Sequence, residues 1–95
     1  INNYKYSNKF KERILNIPKS IRAKSIEQIA KRLSLTREEA SKNESLNDEP
    51  IRGISGGISK RRFYITKSQG RIHYFLDNNV LLFDSLNIQH DEDLN

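Results

Sequence analysis

Part-way along this chain the spacing of apolar residues changes from the period of a helix to the period of a strand, and that change limits the fold more than any other feature. In the first part, Ile26, Ile29, Ala30 and Leu33 recur at i, i+3, i+4 and i+7, the stripe of an amphipathic helix. Upstream, Phe10, Ile14 and Ile17 lie along one face of a shorter helix, for which Ser7 or Asn8 is the N-cap. Pro18 ends that helix and opens the next, because the N–H it lacks is harmless in a first turn. Thr36 and Glu39 have the spacing of a capping box, so a further short helix can start there. Beyond residue 60 the order is different. Arg62, Tyr64 and Thr66 alternate with Phe63 and Ile65, and Arg71, His73 and Phe75 alternate with Ile72, Tyr74 and Leu76. Val80 to Leu86 is a third run. Lys67-Ser68-Gln69-Gly70 and Asp77-Asn78-Asn79 are turns, and strands joined by so few residues are antiparallel neighbours.

These elements predict an α+β domain: a short N-terminal strand at Asn3–Ser7, two helices, then a three-stranded antiparallel meander covered on one face by the helices. With 95 residues the chain is expected to form a single domain. Its parts are an edge strand and helix pair over 1–40, a polar, glycine-marked loop over 41–60, the sheet over 61–90 and an acidic tail over 91–95. Apolar residues make up 35% and charged residues 31%, enough for one thin layer of helix on sheet and too little for a deep cofactor cavity. There is no cysteine, which excludes a disulfide framework or a thiolate metal site and fits a reducing compartment. No apolar run approaches the ~20 residues of a membrane-spanning helix, and no signal-peptide core opens the sequence. The expected location is the cytoplasm.

The net charge of +5 is unevenly spread. Residues 51–75 hold six bases, Arg52, Lys60, Arg61, Arg62, Lys67 and Arg71, and no acid, whereas residues 76–95 hold five acids and no base. A long stretch without carboxylates in a charge-rich protein suits an anionic partner, although a solvated basic face has the same composition. Alternation sharpens the point. If Ile72, Tyr74 and Leu76 are buried, Arg71 and His73 face the other way, beside Arg62 and Tyr64 of the neighbouring strand. Arg61 is the alternative to Arg62, since a slip of one residue exchanges the faces. The two histidines match no recognised metal-ligand spacing, and Gly53 and Gly56-Gly57 lack the following lysine of a P-loop.

Local motifs resemble those of the RelE/ParE group of small bacterial toxins. Tyr4-Lys5-Tyr6-Ser7 with Phe10 resembles the family's first strand entering its first helix, and Ile17-Pro18-Lys19-Ser20-Ile21-Arg22 its break between helices. Ile51-Arg52-Gly53 is similar to the step before the sheet, and Gly70-Arg71-Ile72-His73-Tyr74 to a compressed form of its arginine-bearing strand. Val80 through Ser85, ending near Gln89-His90, resembles the last strand. The resemblance implies a toxin of a toxin–antitoxin module that cleaves messenger RNA, on the ribosome, by attack of the RNA's own 2′-hydroxyl and without metal or other cofactor. It implies as partners mRNA, the ribosome and a cognate antitoxin, in a toxin–antitoxin hetero-oligomer, and no membrane.

On that resemblance Arg71 binds the phosphate and stabilises its transition-state charge, for which a planar, permanently charged fork is suited. Arg62 takes the place of a family lysine, stabilising charge or positioning substrate. Tyr64 stands at a second such basic position, where it stacks on a base or shares a proton transfer. His90 matches the catalytic residue at the C-terminal end, and His73 is a second candidate for acid–base work. Arg52, Lys60, Arg61, Lys67 and His73 are the expected RNA-binding set. Asp91, Glu92 and Asp93 beside His90 depart from the pattern. Two other readings are open. Residues 25–40 resemble a helix-turn-helix, with the basic hairpin as a wing, although Glu38 and Glu39 would repel phosphate. A ParE-like gyrase inhibitor without nuclease activity is the other.

Overall fold

The computed structural model describes residues 3–51 and 57–88. Among them the elements follow the order β1 (Asn3–Tyr6), α1 (Asn8–Leu15), α2 (Lys19–Leu33), α3 (Arg37–Lys42), β2 (Glu49–Pro50), β3 (Ile58–Tyr64), β4 (Arg71–Asp77) and β5 (Val80–Asn87). The period change is therefore real, and the fold is α+β. The sheet has five strands among the described residues rather than three, ordered β1-β5-β4-β3-β2. The meander β3-β4-β5 forms its centre; β1 joins β5 in parallel at one edge and β2 joins β3 at the other. β3 starts at Ile58, so the sheet reaches into the segment expected to be loop.

Local chemistry fixes the helix ends. Ser7 caps α1, its Oγ accepting from Phe10 N–H at 3.1 Å while donating to the Asp84 carbonyl at 2.9 Å, which ties the helix start to β5. Pro18 is the N-cap of α2, and the Thr36–Glu39 capping box opens α3 with both reciprocal bonds made. Gly70, with φ +91°, and Asn78, with φ 56°, supply the left-handed residues of the two hairpin turns.

One face of the sheet buries Phe63, Ile72, Tyr74, Leu81, Phe83 and Leu86 against Phe10, Ile17 and Ile29 of the helical layer. The buried face of α2 is not its apolar stripe. Ser25, Gln28, Ile29 and Arg32 are buried, while Ile26 is 55% exposed and Ala30 is exposed. The inward set is the expected one moved back by one residue, a turn of about 100°. The cause is polar: on the inner side Gln28 Nε2 donates to the carbonyls of Ser45 and Tyr64, and Arg32 Nε donates to Asp48. Ser25 Oγ donates to the Ile21 carbonyl of its own helix, so these donors are satisfied although buried.

The turn that a helix-turn-helix needs does occur between Leu33 and Arg37, but α3 is only six residues long. Its Glu38 and Glu39 are exposed, and backbone hydrogen bonding holds the Glu38 carboxyl below its usual range. A recognition helix of that length and charge is poorly matched to DNA. No helix among the described residues is long and apolar enough to cross a membrane.

Candidate nucleic-acid interface

The face of the sheet opposite the described helices is built by strand register. Across the β3–β4 pair Arg62 lies opposite His73 and Tyr64 opposite Arg71, while Ser85 and Asn87 of β5 pair with His73 and Arg71. The intervening residues Arg61, Phe63, Ile72 and Tyr74 are buried, so Arg62, Tyr64, Arg71 and His73 all stand on the opposite side. A register irregularity between His73 and Tyr74 keeps Leu86 inward and brings Ser85 and Asn87 to the outer face.

Arg71 lies over the Tyr64 ring, with Cζ 4.0 Å from the centroid, a cation–π contact that orients the guanidinium. Its Nη1 donates to the Gly70 carbonyl at 2.8 Å and lies 3.5 Å from that of Thr66. His73 is buried, 8% exposed, and its Nε2 is 3.4 Å from Asn87 Nδ2; the amide donates when that ring nitrogen carries no proton. Arg62 places Nε and Nη2 at 3.0 and 2.9 Å from Glu49 Oε1 on β2. Lys60 completes the row, with Nζ 5.5 Å from the Phe75 ring centroid, and Lys67 is exposed in the β3–β4 turn. The face thus joins a fixed guanidinium, a stacking ring, an imidazole and flanking cations. That set can grip a phosphodiester and move a proton beside it.

Arg61 is elsewhere. It is buried on the core side, its Nε 2.7 Å from Asp48 Oδ1. Arg32 reaches the same carboxylate from α2, with Nε 2.9 Å from Oδ2, and the Tyr74 hydroxyl donates to Oδ2 as well. Burial, reinforced by the Asp48 charge, pushes the Tyr74 phenol up, so it stays a donor. Burial pulls the Arg61 guanidinium down, but the Asp48 hydrogen bond and charge more than offset it. One carboxylate therefore ties α2, the segment before β2, β3 and β4 together directly behind the outer face. Of the other expected site residues, Arg52 and His90 lie outside the described residues. Asn87, Glu49 and Asp48 were not expected. Asn87 falls one residue beyond the apolar run of the last strand, and the other two sit in a polar segment that reads as loop.

The fold aligns with solved toxin structures over nearly its full length. The archaeal RelE–RelB complex from Pyrococcus horikoshii OT3 matches with a TM-score of 0.71 at 15% identity, covering 94% of this chain and 96% of that one. The chain has the RelE fold. YafQ from Escherichia coli strain BL21(DE3) matches at 0.62 and 16% identity, over 97% of this chain and 98% of that chain. The E. coli DinJ–YafQ toxin–antitoxin complex also matches at 0.62 and 16%, over 92% and 91%. No protein-family model and no curated protein sequence matches. At such identities the likeness to RelE is one of architecture.

Proposed function

We propose that this chain is the toxin of a toxin–antitoxin pair and an endoribonuclease that cuts mRNA on the ribosome. The observation that carries the reading is the grouping of Arg71, Tyr64, His73 and Arg62 on the sheet face opposite the described helices, in a fold shared with RelE and YafQ. Arg71 pairs the scissile phosphate and stabilises charge as the 2′-oxygen attacks phosphorus and the bond to the 5′-oxygen breaks. The products are a 2′,3′-cyclic phosphate and a 5′-hydroxyl. His73 accepts or returns a proton, Tyr64 stacks on a base and steadies Arg71, and Arg62 and Lys60 hold the flanking backbone. His90 is assigned the leaving-group proton on family resemblance alone. The partner that restrains such a toxin is an antitoxin, as in the RelE–RelB and DinJ–YafQ complexes, and the place of action is the cytoplasm.

Purified protein added to translating ribosomes tests the reading, with the 5′ ends of new mRNA fragments mapped and typed. Fragments with 5′-hydroxyl ends are expected. Intact mRNA together with inhibition of DNA gyrase would move the chain to the non-nuclease branch of the fold.

A further inference from the structure

The residues grouped around Arg71 occupy only part of the outer face. β3 and β4 pair without interruption from Ile58–Asp77 to Tyr64–Arg71, and every second pair along them points outward. Three successive outward pairs each set a cation against a flat ring: Arg71 against Tyr64, Arg62 against His73, and Lys60 against Phe75. At the two end pairs the contact is direct, with Arg71 Cζ 4.0 Å and Lys60 Nζ 5.5 Å from the ring centroids. The fourth pair, Ile58 and Asp77, has an acid and no cation. The acid-free run of the sequence stops at the same place, since Phe75 is its last ring and Asp77 the first acid beyond it.

Successive outward pairs stand about 7 Å apart along the strands, close to the repeat of an RNA strand whose bases are splayed out. Single-stranded RNA is gripped by such a succession, its bases stacking on rings and its phosphates meeting cations. The His73 ring is nearly covered, so the middle pair contributes Arg62. The rings that a base can reach are Tyr64 and Phe75, both half-buried. Their pairs are about 14 Å apart, two steps of that repeat.

Among the described residues Phe75 belongs neither to the buried core nor to the apolar side chains packed against it. Its partner on β5 is Leu82, 36% exposed, and the neighbour of Leu82 on β1 is Lys5. The ring therefore sits in an apolar strip with a lysine on either side. The flexible Lys60 stem can carry its ammonium to a phosphate and leave the ring face to a base. A protein segment could use the strip, but a cation at every step matches the regular charge of a phosphate backbone.

We propose that Phe75, flanked by Lys60 and Lys5, is a second base-stacking platform, two nucleotides from the base at Tyr64, so that the RNA runs along the β3–β4 hairpin. The proposal rests on the ribonuclease reading of the outer face. The test is an NMR titration of the full chain with 2′-O-methyl oligoadenylates of two and four nucleotides, which cannot be cleaved, for wild type and for F75L, K60A and R71A. The tetranucleotide is expected to shift the Phe75 ring protons and to bind tighter than the dinucleotide. F75L keeps apolar bulk and lacks the aromatic face, and is expected to bind the tetranucleotide about 5-fold or more weaker than wild type. K60A is expected to reduce the salt slope for the tetranucleotide by about one, and R71A to weaken both oligomers. Phe75 signals that stay still in wild type, or F75L binding equal to wild type, would overturn the platform and leave the strip to a protein partner. If R71A still weakens binding in that case, the outer-face reading stands without it. Shifted Phe75 signals with R71A binding like wild type would keep the platform and overturn the Arg71 site. No binding of either oligomer by wild type would overturn both.

Discussion

Two adjacent arginines in β3 have opposite fates, and their surroundings decide which is which. Arg62 faces out to a part-exposed partner, Glu49, and Arg61 faces in to Asp48. Alternation alone left the pair open, because a register shift of one residue exchanges them. Asp48 settles it, and Asp48 was not legible: it lies in the polar run Ser41–Pro50, where a carboxylate reads as solvated. With two guanidiniums and a phenol gathered on one buried carboxylate, Asp48→Ala is expected to destabilise the fold by about 3–5 kcal/mol in denaturant unfolding. Arg62→Ala, at a part-exposed pair, is expected to cost less than about 1 kcal/mol. Tyr74 adds a pH dependence. Its pKa is raised above the ordinary 10.0, first by burial and then by Asp48. The stability that goes with its protonated form is therefore whole below pH 10 and falls as pH rises towards the folded value. The stability advantage of wild type over Tyr74→Phe should accordingly stay constant up to about pH 10 and shrink as pH rises above it.

At the level of elements, the sequence disclosed that α2 is a helix but not which way it faces. Ile26 and Ala30 belong to its most regular apolar stripe, yet Gln28 and Arg32 are buried in their place because distant partners receive them. Hydropathy patterns register transfer from water and are blind to a hydrogen bond made 36 residues away. Ile26→Glu is expected to leave stability within about 0.5 kcal/mol of wild type. Ile29→Ala, on the buried side, is expected to cost about 2–5 kcal/mol; thermal melts of the two variants give the comparison. The β3–β4 turn was legible from Gly70, and the structure adds a steric reason for that glycine. Its φ is +91°, and an added Cβ would stand 2.8 Å from Ile65 Cδ1, a fully buried side chain. Gly70→Ala should therefore lower stability by more than about 1 kcal/mol and disturb the turn that carries Lys67.

For the whole molecule, the order of helices and meander could be read from the change of period, because both signals are local. The parallel β1–β5 pair and the two-residue β2 could not. The first joins Asn3 to Val80 and Tyr6 to Phe83 across almost the entire chain, and the second is too short to show any period. The acid-free stretch did map onto one structural unit: its described part forms β3, the turn and β4, the strands that carry the outer face. The outer face is proposed as an RNA-cleaving site centred on Arg71. Its most direct measurement is the single-turnover rate of cleavage of ribosome-bound mRNA in excess chelator, for wild type and Arg71→Ala side by side. Cleavage by wild type to 5′-hydroxyl fragments, slowed about 10²–10³-fold in the variant, is the predicted result. Uncut mRNA with the wild type, or undiminished cleavage in the variant, would contradict it.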